Sequence, residues 1–126
     1  MRYYDELATY ERGGFNIVVD KTYEDIDPRG QFDWTEEELD QLVKDIDMGK
    51  TEWFMLRVRV FVEGNELGSA YLGGCLYEDP MEVLTDGVAE DMIAEAMVEA
   101  KAAVYPLMRK LQAINEAIER EGVTCG

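Results

Sequence analysis

The chain has 126 residues, 47% hydrophobic and 10% aromatic, with 12 basic against 28 acidic side chains and no histidine. That length suits a single domain with its own core, and the apolar content is too high for a disordered acidic tail. A net charge of −16 argues against direct binding to nucleic acid or to an anionic membrane, since such a surface repels both.

The N-terminus, Met1-Arg2-Tyr3-Tyr4-Asp5-Glu6, lacks the apolar run of a signal peptide, and no stretch reaches the roughly 18 apolar residues needed to cross a bilayer, so a cytoplasmic location is expected. After Gly13-Gly14, Phe15, Ile17 and Val19 alternate with the polar Asn16 and Asp20, which predicts a first strand. Residues 25–33 contain Pro28 and Gly30 and read as a loop. Thr35 with Glu38 three residues on is a capping box, and Glu36, Glu37 and Glu38 place negative charge in a first helical turn. Leu39, Leu42, Val43 and Ile46 then mark one buried helix face, with Gly49 suited to the C-terminal cap.

From Trp53 to Val62 the chain alternates, with Phe54, Leu56, Val58, Val60 and Val62 on one side and Arg57 and Arg59 on the other. A two-residue turn at Gly64-Asn65 predicts a hairpin over 53–77 that sets Val62 beside Leu67, Val60 beside Ser69 and Val58 beside Tyr71. Gly68, Ala70, Leu72 and Gly74 then fall on the opposite face, a low surface that another backbone can approach. Asp79-Pro80 with Glu82 reads as a helix start that Gly87 interrupts.

Ile93, Met97, Ala100, Val104, Leu107, Leu111, Ile114 and Ile118 form a heptad seam, with Pro106 inside it and Gly122 closing it. A straight helix over 88–121 would be about 50 Å long, against a globule about 35 Å across. The expectation is therefore a proline-kinked helix whose second half folds back on the sheet, giving a monomer; the alternative is a homodimer through that helix. The predicted fold is a single α+β domain over 1–126 in the order β-α-β-β-α, an antiparallel sheet of about three strands packed by helices on one face.

Little in the sequence supports catalysis. Without histidine there is no common general base, no usual partner for a nucleophilic serine or cysteine, and no common zinc ligand. There is no phosphate-binding glycine loop before a helix and no G-x-S-x-G. Cys75 and Cys125 lie far apart with no C-x-x-C spacing, and read as reduced thiols. Asp25, Asp27, Gly30, Phe32, Asp33 and Glu36 fall at positions 1, 3, 6, 8, 9 and 12 of a frame resembling the EF-hand calcium loop. Arg29 occupies its fifth position, normally an oxygen donor, and a strand leads in, so a turn followed by an acidic helix start is the preferred reading. No catalytic residue, metal ligand or cofactor is assigned.

Residues 20–47 hold 11 acids and 3 bases, and residues 78–99 hold 8 acids and no base, so these two windows carry the whole excess charge. On a helix, Glu82, Asp86 and Glu90 are spaced by four, as are Asp91, Glu95 and Glu99, giving carboxylate rows roughly 6 Å apart. Like charges at that spacing cost a helix a few tenths of a kcal/mol per pair. A face built only for solubility mixes signs instead. In size, charge and helix rows, over Asp33–Asp47 and Glu78–Glu99, the chain resembles the small acidic proteins of phages and mobile elements that block restriction enzymes, CRISPR effectors or repair glycosylases by imitating DNA.

The resemblance implies a non-enzymatic inhibitor that binds the basic nucleic-acid-binding surface of a target protein or effector complex. Its expected contact residues are Asp33, Glu36, Glu37, Asp40, Glu82, Asp86, Glu90, Asp91, Glu95 and Glu99. An acidic adaptor binding some other basic surface is the alternative, followed by a calcium-binding module.

Overall fold

The computed structural model describes residues 3–122. Its elements run β1 (Asp5–Arg12), β2 (Phe15–Tyr23), α1 (Glu36–Asp47), β3 (Glu52–Val62), β4 (Asn65–Tyr77) and α2 (Val88–Arg120), with short 3-10 turns at Pro28–Gly30 and Pro80–Leu84. The four strands form one antiparallel meander in the order β1-β2-β3-β4. The α+β class and the long C-terminal helix match expectation, and β1 is an added strand.

β1 escapes an alternation test because a bulge between Glu6 and Ala8 breaks its period of two. Leu7 and Tyr10, three apart, both pack against the core. Gly13 and Gly14 are the turn between β1 and β2, both with positive φ, the conformation that a tight hairpin of this twist requires.

Val58 and Val60 are fully buried, as the alternation of β3 predicts, together with Ile17, Val19 and Leu56. The pairing of β3 with β4 differs from the predicted register. The turn sits at Glu63-Gly64, with Val62 opposite Asn65, and an irregularity between Val60 and Phe61 then sets Val60 beside Gly68 and Val58 beside Ala70. One residue of slip moves a side chain to the other face of a sheet. Gly68 and Ala70 therefore share the core face with the valines, and the backbone that approaches them is α2. A Cβ on Gly68 would lie 2.2 Å from the Ala96 carbonyl oxygen and 2.8 Å from the Ala100 nitrogen.

α2 runs antiparallel to β4 across this face and buries Ala89, Met92, Ile93, Ala96 and Ala100. It continues through Pro106 as one helix of 33 residues. The expected fold-back of its second half does not occur. Beyond Ala100 no described residue of the helix is buried, and Leu111 (56% exposed), Ile114 (46%) and Ile118 (46%) stand in solvent. Proline removes one hydrogen bond from a helix, and α2 absorbs that loss at Pro106 without reversing direction.

α1 occupies the connection from β2 to β3. Thr35 accepts from the Glu38 amide at 3.2 Å while the Glu38 carboxylate accepts back from the Thr35 hydroxyl and amide, completing the predicted capping box. Leu39 and Leu42 are buried, and nearby Trp53 donates its indole N–H to the Ile26 carbonyl at 2.8 Å and lies beside Phe32, which stacks on Trp34.

On the sheet face away from α2, Asp20 is only 3% exposed, although its place in the β2 pattern predicts a solvated residue. It accepts from Arg57 Nε at 2.8 Å and Nη2 at 2.6 Å, and from Arg59 Nη2 at 3.2 Å. The adjacent carboxylate keeps Arg57 more firmly protonated than usual. Tyr4 covers Arg57, whose guanidinium carbon lies 3.4 Å from the ring centre.

Candidate acidic interaction surface

The two predicted carboxylate rows fare differently. Asp91, Glu95 and Glu99 lie on α2, four residues apart and exposed along its outer side, while Met92, Ile93 and Ala96 hold that stretch to the sheet. Their spacing along the axis is about 6 Å. Among the described residues, none of the three enters an ion pair.

The row Glu82, Asp86, Glu90 does not exist as such, because α2 begins only at Val88. Glu82 is exposed in the 3-10 turn that Asp79 caps by accepting from the Met81 amide. Asp86 sits between the two helical segments, accepting from the Val88 amide at 2.9 Å and from the Tyr77 hydroxyl at 2.5 Å. These bonds, the Tyr77 one foremost, lower the Asp86 pKa below the usual carboxylate value. Burial and the same contact push the Tyr77 phenol up to about 12. A helix start whose N-cap is Gly87, with no side-chain cap of its own, thereby gains an acceptor from Asp86.

Glu90 is also occupied. Arg12 at the tip of β1 grips it with two hydrogen bonds, 3.0 and 2.8 Å, although the 78–99 window itself contains no base. This fork lowers the Glu90 pKa. It ties the edge hairpin to α2 and bounds a cleft of about 650 Å³ that Phe15, Ile93, Met97 and Lys101 also line. The cleft walls are largely apolar, and the row Asp91, Glu95, Glu99 lies outside it.

In the first acidic window, Asp33, Glu36 and Glu37 are exposed at the start of α1, whereas Asp40 is held by Arg29 at 2.6 Å. Asp20 belongs to the same window in sequence but is spent inside the sheet on Arg57 and Arg59. Glu38 and Asp45 of α1 line a groove with Glu78, so the two windows meet there, beside Lys50. The calcium-like frame takes another form. Asp27 caps the turn Pro28–Gly30 by accepting from the Arg29 amide, Arg29 reaches to Asp40, and among the described residues no cluster of three acidic or cysteine side chains is placed to hold a metal ion.

Cys75 is buried in β4, and burial pushes its thiol up to about 11, which leaves it protonated and unreactive at neutral pH. Cys125 lies outside the described residues. Among the described residues, no helix is long and apolar enough to cross a membrane.

The pairings Arg12–Glu90 and Asp20–Arg57–Arg59 were missed by sequence reasoning. The second had a signal, since Arg57 and Arg59 mark the polar side of β3 and Asp20 the polar side of β2. The first joins residues 78 apart across an unpredicted strand and had none. Compared with protein-family models, characterised proteins and solved structures, the chain matches none.

Proposed function

We propose that the protein is a non-enzymatic inhibitor that acts in the cytoplasm by occupying the basic nucleic-acid-binding surface of a target protein. The observation that carries this reading is the row Asp91, Glu95, Glu99, which is unpaired among the described residues and held on a helix packed to a sheet. An exposed row of like charge on a rigid element costs helix stability and returns nothing to the fold. It is suited to meet a partner of opposite charge, at a pitch of the same order as that of phosphates along a strand.

Glu36 and Glu37 on α1, with Asp33 before it and Glu82 after β4, are exposed as well and are the further carboxylates offered to such a partner. Asp40, Asp86 and Glu90 are engaged within the fold and contribute less. A basic groove would gain from this surface through counterion release and steering, both sensitive to salt.

The test is capture of candidate DNA-binding and RNA-guided proteins by the purified chain, followed by a salt series and competition with duplex DNA. The reading expects binding that weakens steeply with salt and is displaced by DNA. Salt-sensitive binding that DNA never displaces would replace it with an adaptor for some other basic surface.

A further inference from the structure

Residues 101–120 of α2 carry an apolar stripe that the described fold leaves uncovered. Val104, Leu107, Leu111, Ile114 and Ile118 continue the face that residues 89–100 turn to the sheet, over about 20 Å of helix, with Leu107 half-buried and the other four exposed. Soluble monomers rarely expose a continuous apolar stripe of this kind. We infer that this stripe pairs with the same stripe of a second copy, in antiparallel orientation, to make a two-stranded helical dimer. The inference does not depend on the proposed inhibitory role.

Two charge patterns select the second copy and its direction. Along the free half, residues 100–111 bear Lys101, Arg109 and Lys110 and no acid, whereas residues 112–121 bear Glu116, Glu119 and Glu121 with Arg120. Antiparallel pairing over 101–120 sets Lys101 of each helix beside Glu119 and Glu121 of the other, with Arg109 and Lys110 near the middle of the overlap; parallel pairing stacks every one of these charges on its own copy. Each chain also carries a net charge of −16, concentrated in windows 20–47 and 78–99. Parallel helices would hold the two acidic sheet domains side by side, while antiparallel ones place them at opposite ends and also oppose the helix dipoles. The overlap has a natural limit, because Ala100 is fully buried against Gly68 and leaves no room for a partner helix beyond that point. Pro106 lies two positions past Val104 and one before Leu107, off the stripe, and so does not interrupt the contact.

Sedimentation equilibrium of the full chain should show a dimer at tens of micromolar, and Leu111→Glu, at a position that is 56% exposed, should convert it to a monomer with the β-sheet signal of circular dichroism unchanged. Orientation is read separately by spin labels on Arg120→Cys in a Cys125→Ser background, with the buried Cys75 left in place. Antiparallel helices overlapping over 101–120 put the two labels more than about 20 Å apart, whereas parallel ones put them about 10 Å apart, the spacing of packed helices. A wild-type monomer at that concentration, a dimer that survives Leu111→Glu, or a label separation under about 20 Å would each overturn the inference.

Discussion

Residues 88–100 of α2 press Ala89, Met92, Ile93, Ala96 and Ala100 onto the sheet, while residues 101–120 carry the same stripe into solvent. The packed half uses small residues where Gly68 lets the helix backbone come close, and its outer side is acidic without a local base. The free half uses larger residues, Leu107, Leu111, Ile114 and Ile118, and is basic through Lys101, Arg109 and Lys110. Side-chain size thus separates two destinations for one periodic pattern. Small residues suit a close sheet contact, and large branched ones suit a second helix at about 10 Å.

The largest test of this contrast puts one substitution in each half. Ala96→Asp buries an unpaired charge at a fully buried site and should cost several kcal/mol, enough to unfold a marginal domain. Ala113→Asp, at an exposed site off the stripe, should change stability by no more than about 0.5 kcal/mol. Thermal melts of the two variants measure the difference, and equal effects would break the distinction between the halves.

Beneath the packed half, the opposite face of the sheet depends on Asp20. Asp20→Ala leaves Arg57 without its counterion and Arg59 with only Glu66 at 3.9 Å, and should cost about 3 kcal/mol in urea denaturation. Gly68→Ala should cost about 1–3 kcal/mol, since the new methyl meets the Ala96 carbonyl and the helix must shift. The same melts would show a smaller loss if α2 could slide away freely.

The smallest expected effect is one of pH. The pKa values of Glu90 and Asp86 are lowered in the folded chain, by Arg12 and by Tyr77 respectively. Their contributions are complete above the ordinary carboxylate range and fade as the pH falls from about 4.5 through the lower folded values. Both groups are exposed, so solvent screening keeps the loss small. Melting temperatures of wild type and Arg12→Ala between about pH 6 and pH 3 should converge toward the acid end as the Arg12–Glu90 contribution disappears.

The helix α1 with its capping box, the core face of β3, and the heptad stripe of α2 were all legible, because each rests on a local pattern of period 3.6, 2 or 3.5. Strand β1 was not, since its bulge puts Leu7 and Tyr10 on one face at a spacing of three. The β3–β4 register was missed for a related reason. The turn chemistry of Gly64-Asn65 suggested one pairing, and a local irregularity after Val60 imposed another. Of the acidic surface, the row Asp91, Glu95, Glu99 followed from helix spacing alone. Occupation of Asp86 by Tyr77 and of Glu90 by Arg12 depended on tertiary neighbours that spacing cannot reveal.

The most direct test of the acidic row is the affinity of Glu95→Lys/Glu99→Lys for a captured basic partner, measured beside wild type at fixed salt. Both positions are exposed, so the melting temperature should hardly move. Reversal replaces attraction with repulsion at the interface and should weaken binding by a few kcal/mol. Undiminished affinity in the folded double variant would contradict the account and reduce the row to a solvated helix face.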